Sequence, residues 1–331
     1  EISSKIKTAI NQNLNGSFDF EDASLSIFTH FPRLTLSLKK PSVVSYVTGD
    51  TLNVFKASEL SLSFDFWNII SKSESLVVKS FYLYDADIQG YIDADGVANY
   101  DILKNKQPAS NNSDTKPVNF KLDRFEVKNS RIIYVDKQMD MSLKIVGLNN
   151  EGKCSILNDI FDINAKTTID SLDFISTGIA FLNHVNLNSN LNLIYDASKN
   201  RIDLKENELA LNALKLSLLG YIQVKEEQSI EMDLKLNSPG TQFKDLFSLI
   251  PKAFIKNYQD VKSEGSFLIN ANINGILNQN LNIYPSWDFV CSVTNGGIQY
   301  PGMPVRLSAF NLNMSSKNIG PDLSKLTVDL N

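Results

Sequence analysis

Hydrophobic and polar residues alternate along most of the chain with a period of two residues. Because successive side chains of a β-strand point to opposite faces, this pattern predicts strands with one apolar and one polar face. The stretch from Phe55 to Leu103 shows it most fully and predicts a meander of antiparallel strands. The clearest alternating apolar sets are Leu34, Leu36 and Leu38; Leu60, Leu62, Phe64 and Phe66; and Ile230, Met232, Leu234 and Leu236.

The strand pattern predicts one elongated domain, with a first β-meander over residues 17–104 and its continuation over residues 119–331. Gly49-Asp50 is typical of a hairpin turn. Residues 105–118 are polar, contain two prolines and are expected to form a flexible loop. The leucines between positions 209 and 218 change their spacing once, which predicts a long strand with a slip in phase.

Two segments have helical rather than strand periodicity. In residues 1–16, Ile2, Ile6 and Ile10 form one stripe, which is typical of a short amphipathic helix. This helix either caps the domain near a membrane or covers the first sheet edge. The second segment, residues 241–258, has phenylalanines, leucines and isoleucines on one face and contains Pro251. That face could insert into a bilayer, contact a partner or close one end of the sheet, and packing on its own sheet is the default expectation.

Charge and composition narrow the function classes. The chain has 331 residues, a net charge of −5 and a pI near 5.2, which argues against a nucleic-acid binder because such a protein needs a basic face. No apolar run reaches the ~18 residues that a transmembrane helix needs. The chain begins at Glu1 without Met and ends within a strand pattern at Leu326, Val328 and Leu330. We therefore expect a segment cut from a longer protein.

No residue pattern indicates catalysis, and the chain is predicted not to be an enzyme and to carry no cofactor or metal. His30 and His184 have no partner nearby in the sequence, and no nucleophile, phosphate-binding or metalloprotease motif occurs. The sequence from Asp93 to Gly96 resembles the start of a calcium loop, but its register places Ile102 where the bidentate Glu belongs, so we interpret it as a hairpin turn. Whether Cys154 and Cys291 form a disulfide is left open by the sequence.

The number of strands poses a physical question. A flat open sheet of roughly twenty strands is not expected, because twisted sheets beyond ~10 strands curl, split or close. One solution is a closed sandwich with a filled core. The other is a curled trough whose apolar floor is covered by another molecule, such as lipid tails, because an uncovered apolar surface of that size marks a binding groove.

Several segments together resemble proteins of the bacterial AsmA family. Their order and spacing match over most of the chain, although Tyr100 stands where many members have Trp, and the N-terminal membrane anchor is missing. The matching segments are FDFEDASLSIFTHFPRLTLSL (18–38), LSLSFDFW (60–67), DGVANYDIL (95–103), FKDLFSLIP (243–251) and DVKSEGSF (260–267).

This resemblance implies a fold and a function that the spacing alone does not give. The implied fold is all-β with two short amphipathic helices: a long, strongly twisted, curled antiparallel sheet that forms a U-shaped apolar groove. The implied function is binding and transfer of phospholipids in the periplasm of a Gram-negative bacterium, contributing to outer-membrane biogenesis. The implied partners are phospholipids, the inner membrane through an N-terminal anchor, and outer-membrane or periplasmic proteins.

The three alternating apolar sets named at the outset are the candidate residues of the groove floor. Two other classes of function remain as alternatives. One is a periplasmic scaffold for outer-membrane protein assembly, with a closed, dry β-sandwich core. The other is an adhesin or glycan-binding β-domain, which is expected to cluster aromatic residues at loop tips, whereas Trp67 and Trp287 are isolated.

Overall fold

The fold is all-β and divides into two compact units. The computed structural model describes residues 2–30, 33–48, 52–65, 77–104, 121–225, 229–249, 261–278, 280–299 and 305–331. Unit 1 comprises Glu1–Asn158 and Thr167–His184, and unit 2 comprises Asp159–Lys166 and Val185–Asn331. The predicted single elongated domain stays a prediction.

In its described residues, unit 1 has a helix and strands that are mostly short. The helix α1 spans Ile2–Asn11, and the strands are β1 (Gly16–Asp19), β2 (Asp22–His30), β3 (Arg33–Lys39), β4 (Ser42–Ser45), β5 (Leu52–Lys56), β6 (Glu59–Asp65), β7 (Val78–Tyr84), β8 (Asp87–Ile92), β9 (Lys121–Asp136) and β10 (Met141–Leu157). Strands β11 (Ile160–Ser176) and β12 (Ile179–Asp196) have residues in both units.

The sheet of unit 1 has two antiparallel runs that meet at β9. One run is β2–β3–β6–β7, and the other is β1–β4–β5–β8. Strands β7 and β8 both lie parallel to β9, beside its first and second halves, while β10 pairs antiparallel with β9. The prediction of an antiparallel sheet is therefore wrong here, and the sheet is mixed. The 28 residues between Ile92 and Lys121 allow this, because only a long crossover, never a tight hairpin, can join parallel strands.

Positive φ values occur where several strands of unit 1 end or are interrupted. The φ angle is near 50° at Lys40, between β3 and β4, at Asp85, between β7 and β8, and at Asn129, within β9. Asp and Asn tolerate this conformation better than most residues. The Asp85 carboxylate accepts hydrogen bonds from the Ser58 hydroxyl (2.7 Å) and the Asn129 amide (2.7 Å), which join the β7–β8 connection to the β5–β6 connection and to β9.

The described residues of unit 1 form two small apolar cores. One is formed by Leu14, Phe18, Phe20 and Leu38, and α1 ends beside it, because the Asn11 side chain hydrogen-bonds to both the amide and the carbonyl of Phe18. The other is formed by Ala57, Leu83 and Ala86. A helix at the predicted place is thus present. Its predicted apolar stripe is not confirmed, since Ile10 is exposed and the side chains of Ile2 and Ile6 lie outside the described part.

Unit 2 is built from longer strands whose described pairings are antiparallel. Neighbouring strands in this sheet follow one another in the chain: β12–β13–β14–β15–β17–β18–β19–β20, with β16 beside β17. The bounds are β13 (Arg201–Leu211), β14 (Leu214–Val224), β15 (Ile230–Asn237), β16 (Thr241–Gln242), β17 (Lys262–Leu277), β18 (Ser286–Gln299), β19 (Leu307–Asn318) and β20 (Thr327–Leu330).

Two predictions in unit 2 need correction. The leucines at 209–218 do not form one strand with a slip. They belong to β13 and β14, and the odd spacing is a two-residue turn at Asn212-Ala213 that pairs Leu211 with Leu214. The predicted helix 241–258 begins with strand β16, followed by a single helical turn α2 (Phe243–Leu246) and a 3-10 turn (Phe247–Leu249). The rest of that segment lies outside the described residues.

Other predictions have mixed outcomes. The strands on either side of Gly49-Asp50, β4 and β5, pair antiparallel as predicted, and the turn itself lies outside the described residues. The turn at Asp93 is also confirmed, because its carboxylate accepts hydrogen bonds from the amides of Asp95 and Val97. The predicted loop 105–118 and the candidate Phe66 lie outside the described residues.

Candidate functional site

The apolar face of unit 2 runs across several neighbouring strands. Residues that pair directly across antiparallel strands lie on the same face. Leu236 of β15 faces Leu218 and Ala271, Leu234 faces Gly220 and Ile273, Met232 faces Ile222 and Gly275, and Ile230 faces Val224 and Leu277. The face continues to Ile202 and Leu204 on β13 and to Trp287 and Phe289 on β18.

This face is only partly shielded from solvent. The four candidate residues on β15, Ile230, Met232, Leu234 and Leu236, are all half-buried. Strand β17 alternates strictly from Ser266 to Leu277, with buried or half-buried residues on the apolar face and exposed residues, including Asn270, Asn272 and Asn274, on the other. The predicted one-sided pattern is therefore present, and the apolar side is neither fully exposed nor sealed.

The helical turn α2 covers one end of the face. Phe243 and Phe247 are buried and pack with Leu214, Phe267 and Val293. The Phe243 ring lies 5.0 Å from the Phe247 ring and 5.8 Å from the Phe310 ring, both edge-on. Of the three roles open to this segment from sequence, the structure shows packing on its own sheet.

Two sets of polar contacts fix α2 in this place. At its start, the Gln242 amide donates to the Asp245 carboxylate (3.0 Å), which satisfies a backbone group that a helix start leaves unpaired. At its end, Ser248 contacts the β13–β14 turn: its carbonyl accepts from the Asn212 side chain (2.5 Å), and its hydroxyl accepts from the Ala213 amide (3.1 Å). The aromatic cluster is thus a fixed end wall.

Exposure rises with distance from α2. Beside it, Leu214 and Val293 are 3% and 2% exposed. Further along the strands the apolar residues become half-buried, and at the far end Val224 is 51% exposed. The face is consequently closed at the α2 end and open at the end where β14 turns into β15.

The open end has a rim of paired charges. Lys199 contacts Asp196 (2.8 Å), Arg201 contacts Asp203 (2.6 Å) and Lys225 contacts Glu231 (2.9 Å). The Lys199 ammonium, with the Ser198 hydroxyl, lowers the pKa of Asp196 to about 2. A shallow cavity lies beside Lys199, Lys225 and Glu231. The rim therefore presents both signs of charge to solvent.

The candidate residues of unit 1 also share one face. Leu34, Leu36 and Leu38 of β3 pair with Phe64, Leu62 and Leu60 of β6. Leu38 and Phe64 are 6% and 8% exposed, and the other four are half-buried. The structure brings these residues together on the part of the sheet that lies in unit 1, and the β15 residues together on the part that lies in unit 2.

The opposite face of the same strands was not identified from sequence. Thr35, Ser63 and Ser80 are 0% exposed and Ser61 is 2% exposed, so this polar face is more deeply buried than the leucines. The Thr35 and Ser63 hydroxyls hydrogen-bond across the strands (2.8 Å), as do those of Ser37 and Ser61 (2.6 Å). The available signal was the residue type: these positions carry small hydroxyls, whereas the matching positions of β15 carry Glu231, Asp233 and Lys235.

A buried carboxylate extends this polar face onto β9. Burial raises the pKa of Glu126, but hydrogen bonds from Lys128 (2.7 Å), Arg124 (2.5 Å) and Tyr84 (3.1 Å) outweigh it, so the net pKa lies below its usual value. The same contacts and burial raise the pKa of Tyr84 to about 12. Glu126 therefore forms a structural ion cluster with Arg124, Lys128 and Tyr84.

The remaining candidates for chemistry stay dispersed. His184 contacts Asp173 at the surface, and Cys154 and Cys291 are both free thiols. In the part of the chain that the structure describes, no cluster of three or more His, Cys, Asp or Glu side chains could hold a metal ion. None of the helices described is both long and apolar enough to span a bilayer.

Comparisons with protein-family models, with curated proteins and with solved structures found no match to this chain. The function is therefore inferred from the residues and their contacts.

Proposed function

We propose that this protein is a non-enzymatic carrier that binds phospholipids by their acyl chains along apolar β-sheet faces and transfers them in the periplasm. The observation that carries the proposal is the apolar face of unit 2, which spans β13 to β18 and leaves its central side chains half-exposed. Leaving such a face in water is unfavourable by roughly 25 cal/mol per Å² of apolar area. An apolar ligand removes that cost.

Acyl chains suit this face better than a compact ligand. The face has no central polar group to orient a small molecule, which specific pockets normally provide. Its length from Ala271 to Leu277 is about 20 Å at ~3.3 Å per residue. One leaflet of a bilayer core is ~15 Å thick, so a lipid tail can lie along the strands with its whole length in contact.

The proposal includes a form for the binding surface and a place for the protein. Each apolar face is the floor of a curled, U-shaped groove, and lipid head groups stay in water at its rim. The resemblance to the AsmA family supports attachment to the inner membrane through an N-terminal anchor, and a contribution to outer-membrane biogenesis.

The test is native mass spectrometry of the purified protein followed by lipid extraction, on the wild type and on two neighbouring variants. Leu234→Asp places a charge on the apolar face, whereas Lys235→Asp places the same charge one residue away on the exposed face. We expect co-purifying phospholipid on the wild type and on Lys235→Asp, and a loss of at least tenfold on Leu234→Asp, because a carboxylate is costly to bury against hydrocarbon.

Circular dichroism distinguishes lost binding from lost structure. Because Leu234 is half-buried, the Asp variant is expected to keep its β-sheet spectrum. A lipid-free wild type that melts cooperatively would contradict the proposal, and so would equal lipid loading of the two variants.

One observation favours a second role for unit 1. In β3, β6 and β7 the hydroxyl face is buried at Thr35, Ser61, Ser63 and Ser80, and the leucine face is buried in part. Burial on both faces is typical of a packed, dry layer, as expected for a scaffold that organises outer-membrane or periplasmic proteins. In the lipid experiment this role predicts that Leu62→Asp lowers the stability of the protein without changing its lipid content.

A further inference from the structure

We propose that α2 and its aromatic cluster form a stop that fixes the depth of bound acyl chains and selects them by length. This inference rests on the proposed lipid-binding function and adds a specificity determinant to it. The chains lie along the strands of unit 2, with their terminal methyls against Phe243 and Phe247 and their head groups at the rim that carries Lys199 and Lys225.

The first support is the closed end itself. Phe243, Phe247 and Phe310 pack edge-on at 5.0 and 5.8 Å and leave Val293 and Phe267 only 2% and 3% exposed. A chain sliding along the floor cannot pass such a packed cluster without displacing it, because protein interiors have no free volume of that size.

The second support is that the wall is anchored. The segment is held by β16, which pairs with Phe267 and Ser266 on β17, and by the bonds of Ser248 to the β13–β14 turn. A mobile lid would let chains of any length pass, whereas a wall fixed at both ends sets a length.

The third support is the chemistry of the open end. There the strands end beside Lys199 and Lys225, whose ammonium groups can bind the phosphate of a head group, while their carboxylate partners Asp196 and Glu231 lie at polar-face positions of β12 and β15. The floor between wall and rim is about 20 Å long on β17, close to the length of one acyl chain. Across β14, β15, β17 and β18 it is about 14 Å wide at ~4.8 Å per strand, enough for the two chains of one lipid.

The experiment moves the stop and leaves the rest of the floor in place. Ala271 lies on the apolar face next to the cluster, paired with Leu236, and Ala271→Leu brings the wall forward. Phe243→Ala moves the wall back. Leu268→Ala, on the exposed face of the same strand β17, is the matched control because it removes apolar volume without touching the floor or the wall.

The full chain is incubated with vesicles of phosphatidylcholines that differ only in acyl-chain length, purified again and analysed by native mass spectrometry. We expect the retained lipids of Ala271→Leu to shift to shorter chains, those of Phe243→Ala to shift to longer chains, and those of Leu268→Ala to match the wild type. If Phe243→Ala fails to fold, Ala271→Leu decides the question, because it leaves every residue of the wall unchanged.

The outcomes separate the two proposals. A wild type that retains no lipid overturns both. A wild type that retains lipid, with the same chain-length distribution in Ala271→Leu, overturns the stop and leaves the lipid-binding proposal standing.

Discussion

Strands β6 in unit 1 and β15 in unit 2 carry the same alternation of apolar and polar residues, but their surroundings differ. On β6 the polar positions are Ser61 and Ser63, which are at most 2% exposed. On β15 the polar positions are Glu231, Asp233 and Lys235, and the last of these is exposed. The serines of β6 are therefore buried, whereas the polar positions of β15 are half-buried at Glu231 and Asp233 and exposed at Lys235.

The apolar pattern alone therefore does not indicate whether a sheet face is part of a core or a binding surface. Small hydroxyl side chains can be buried when they pair with one another across strands, since a satisfied hydrogen bond removes most of the cost of burial. Full charges rarely can. The residue types at the polar positions of an alternating strand therefore indicate whether that face is covered, which the apolar positions do not.

The largest effect on stability is expected from substitutions at the apolar positions of β6 and β15. Phe64→Ala on β6 removes a side chain that is 8% exposed, and we expect it to lower the free energy of unfolding by about 3 kcal/mol. Met232→Ala on β15 removes a half-exposed side chain, and we expect about 1 kcal/mol. Urea denaturation of the delipidated proteins measures both.

Equal losses of stability in the two variants would contradict this difference, because they would show that β15 is as much a part of a closed core as β6. If added phospholipid raises the stability of the wild type but not that of Met232→Ala, the result supports a binding role for the β15 face, since a ligand stabilises only the state that binds it.

The sequence predicted strand identity well because alternation is a local property. The sets on β3, β6 and β15 and the hairpin between β4 and β5 were all readable from neighbouring residues. The pairing of β9 was not, because nothing in residues 121–136 records that β7 and β8 lie beside them in parallel. Such register depends on contacts between residues far apart in the chain.

In the candidate site, too, some features were predictable from the sequence and others were not. The floor residues on β15 were identified by their spacing, and the apolar segment 241–258 was expected to pack on its own sheet. The side that it covers was not predictable, because this depends on the turn at Gln242 that places Phe243 on the same face as Phe267. The buried hydroxyl face of unit 1 was missed because serine is usually a surface residue, and the pairing of Thr35 with Ser63 is visible only in the sheet.

An intermediate effect is expected on the polar halves. Ser63→Val enlarges a side chain that is 0% exposed and removes its hydrogen bond to Thr35, which should cost about 2 kcal/mol. Asn272→Val on β17 makes a comparable change on the exposed face of unit 2 and should alter stability by no more than about 0.5 kcal/mol. Thermal unfolding followed by circular dichroism compares the two. A destabilised Asn272→Val protein would mean that the polar face of unit 2 is covered as well.

The smallest effect concerns charge and depends on pH. Glu126 in unit 1 has a side chain that is 5% exposed and a pKa below its usual value, whereas Glu231 in unit 2 is 32% exposed, with its pKa lowered by Lys225 and Tyr221. A carboxylate whose pKa is lowered by folding adds stability above its unfolded pKa, near 4.5, and loses it as the pH falls through the lower folded value.

Glu126→Gln should therefore lower the free energy of unfolding by about 1.5 kcal/mol at neutral pH. Its difference from the wild type should close as the medium becomes more acidic than the folded pKa of Glu126. Glu231→Gln should give a smaller gap with the same direction, because water screens an exposed ion pair. Chemical denaturation across this pH range measures both gaps. If the gap for Glu231 equalled or exceeded that for Glu126, the rim of unit 2 would be as enclosed as the polar layer of unit 1, and a head group could not reach the rim from solvent.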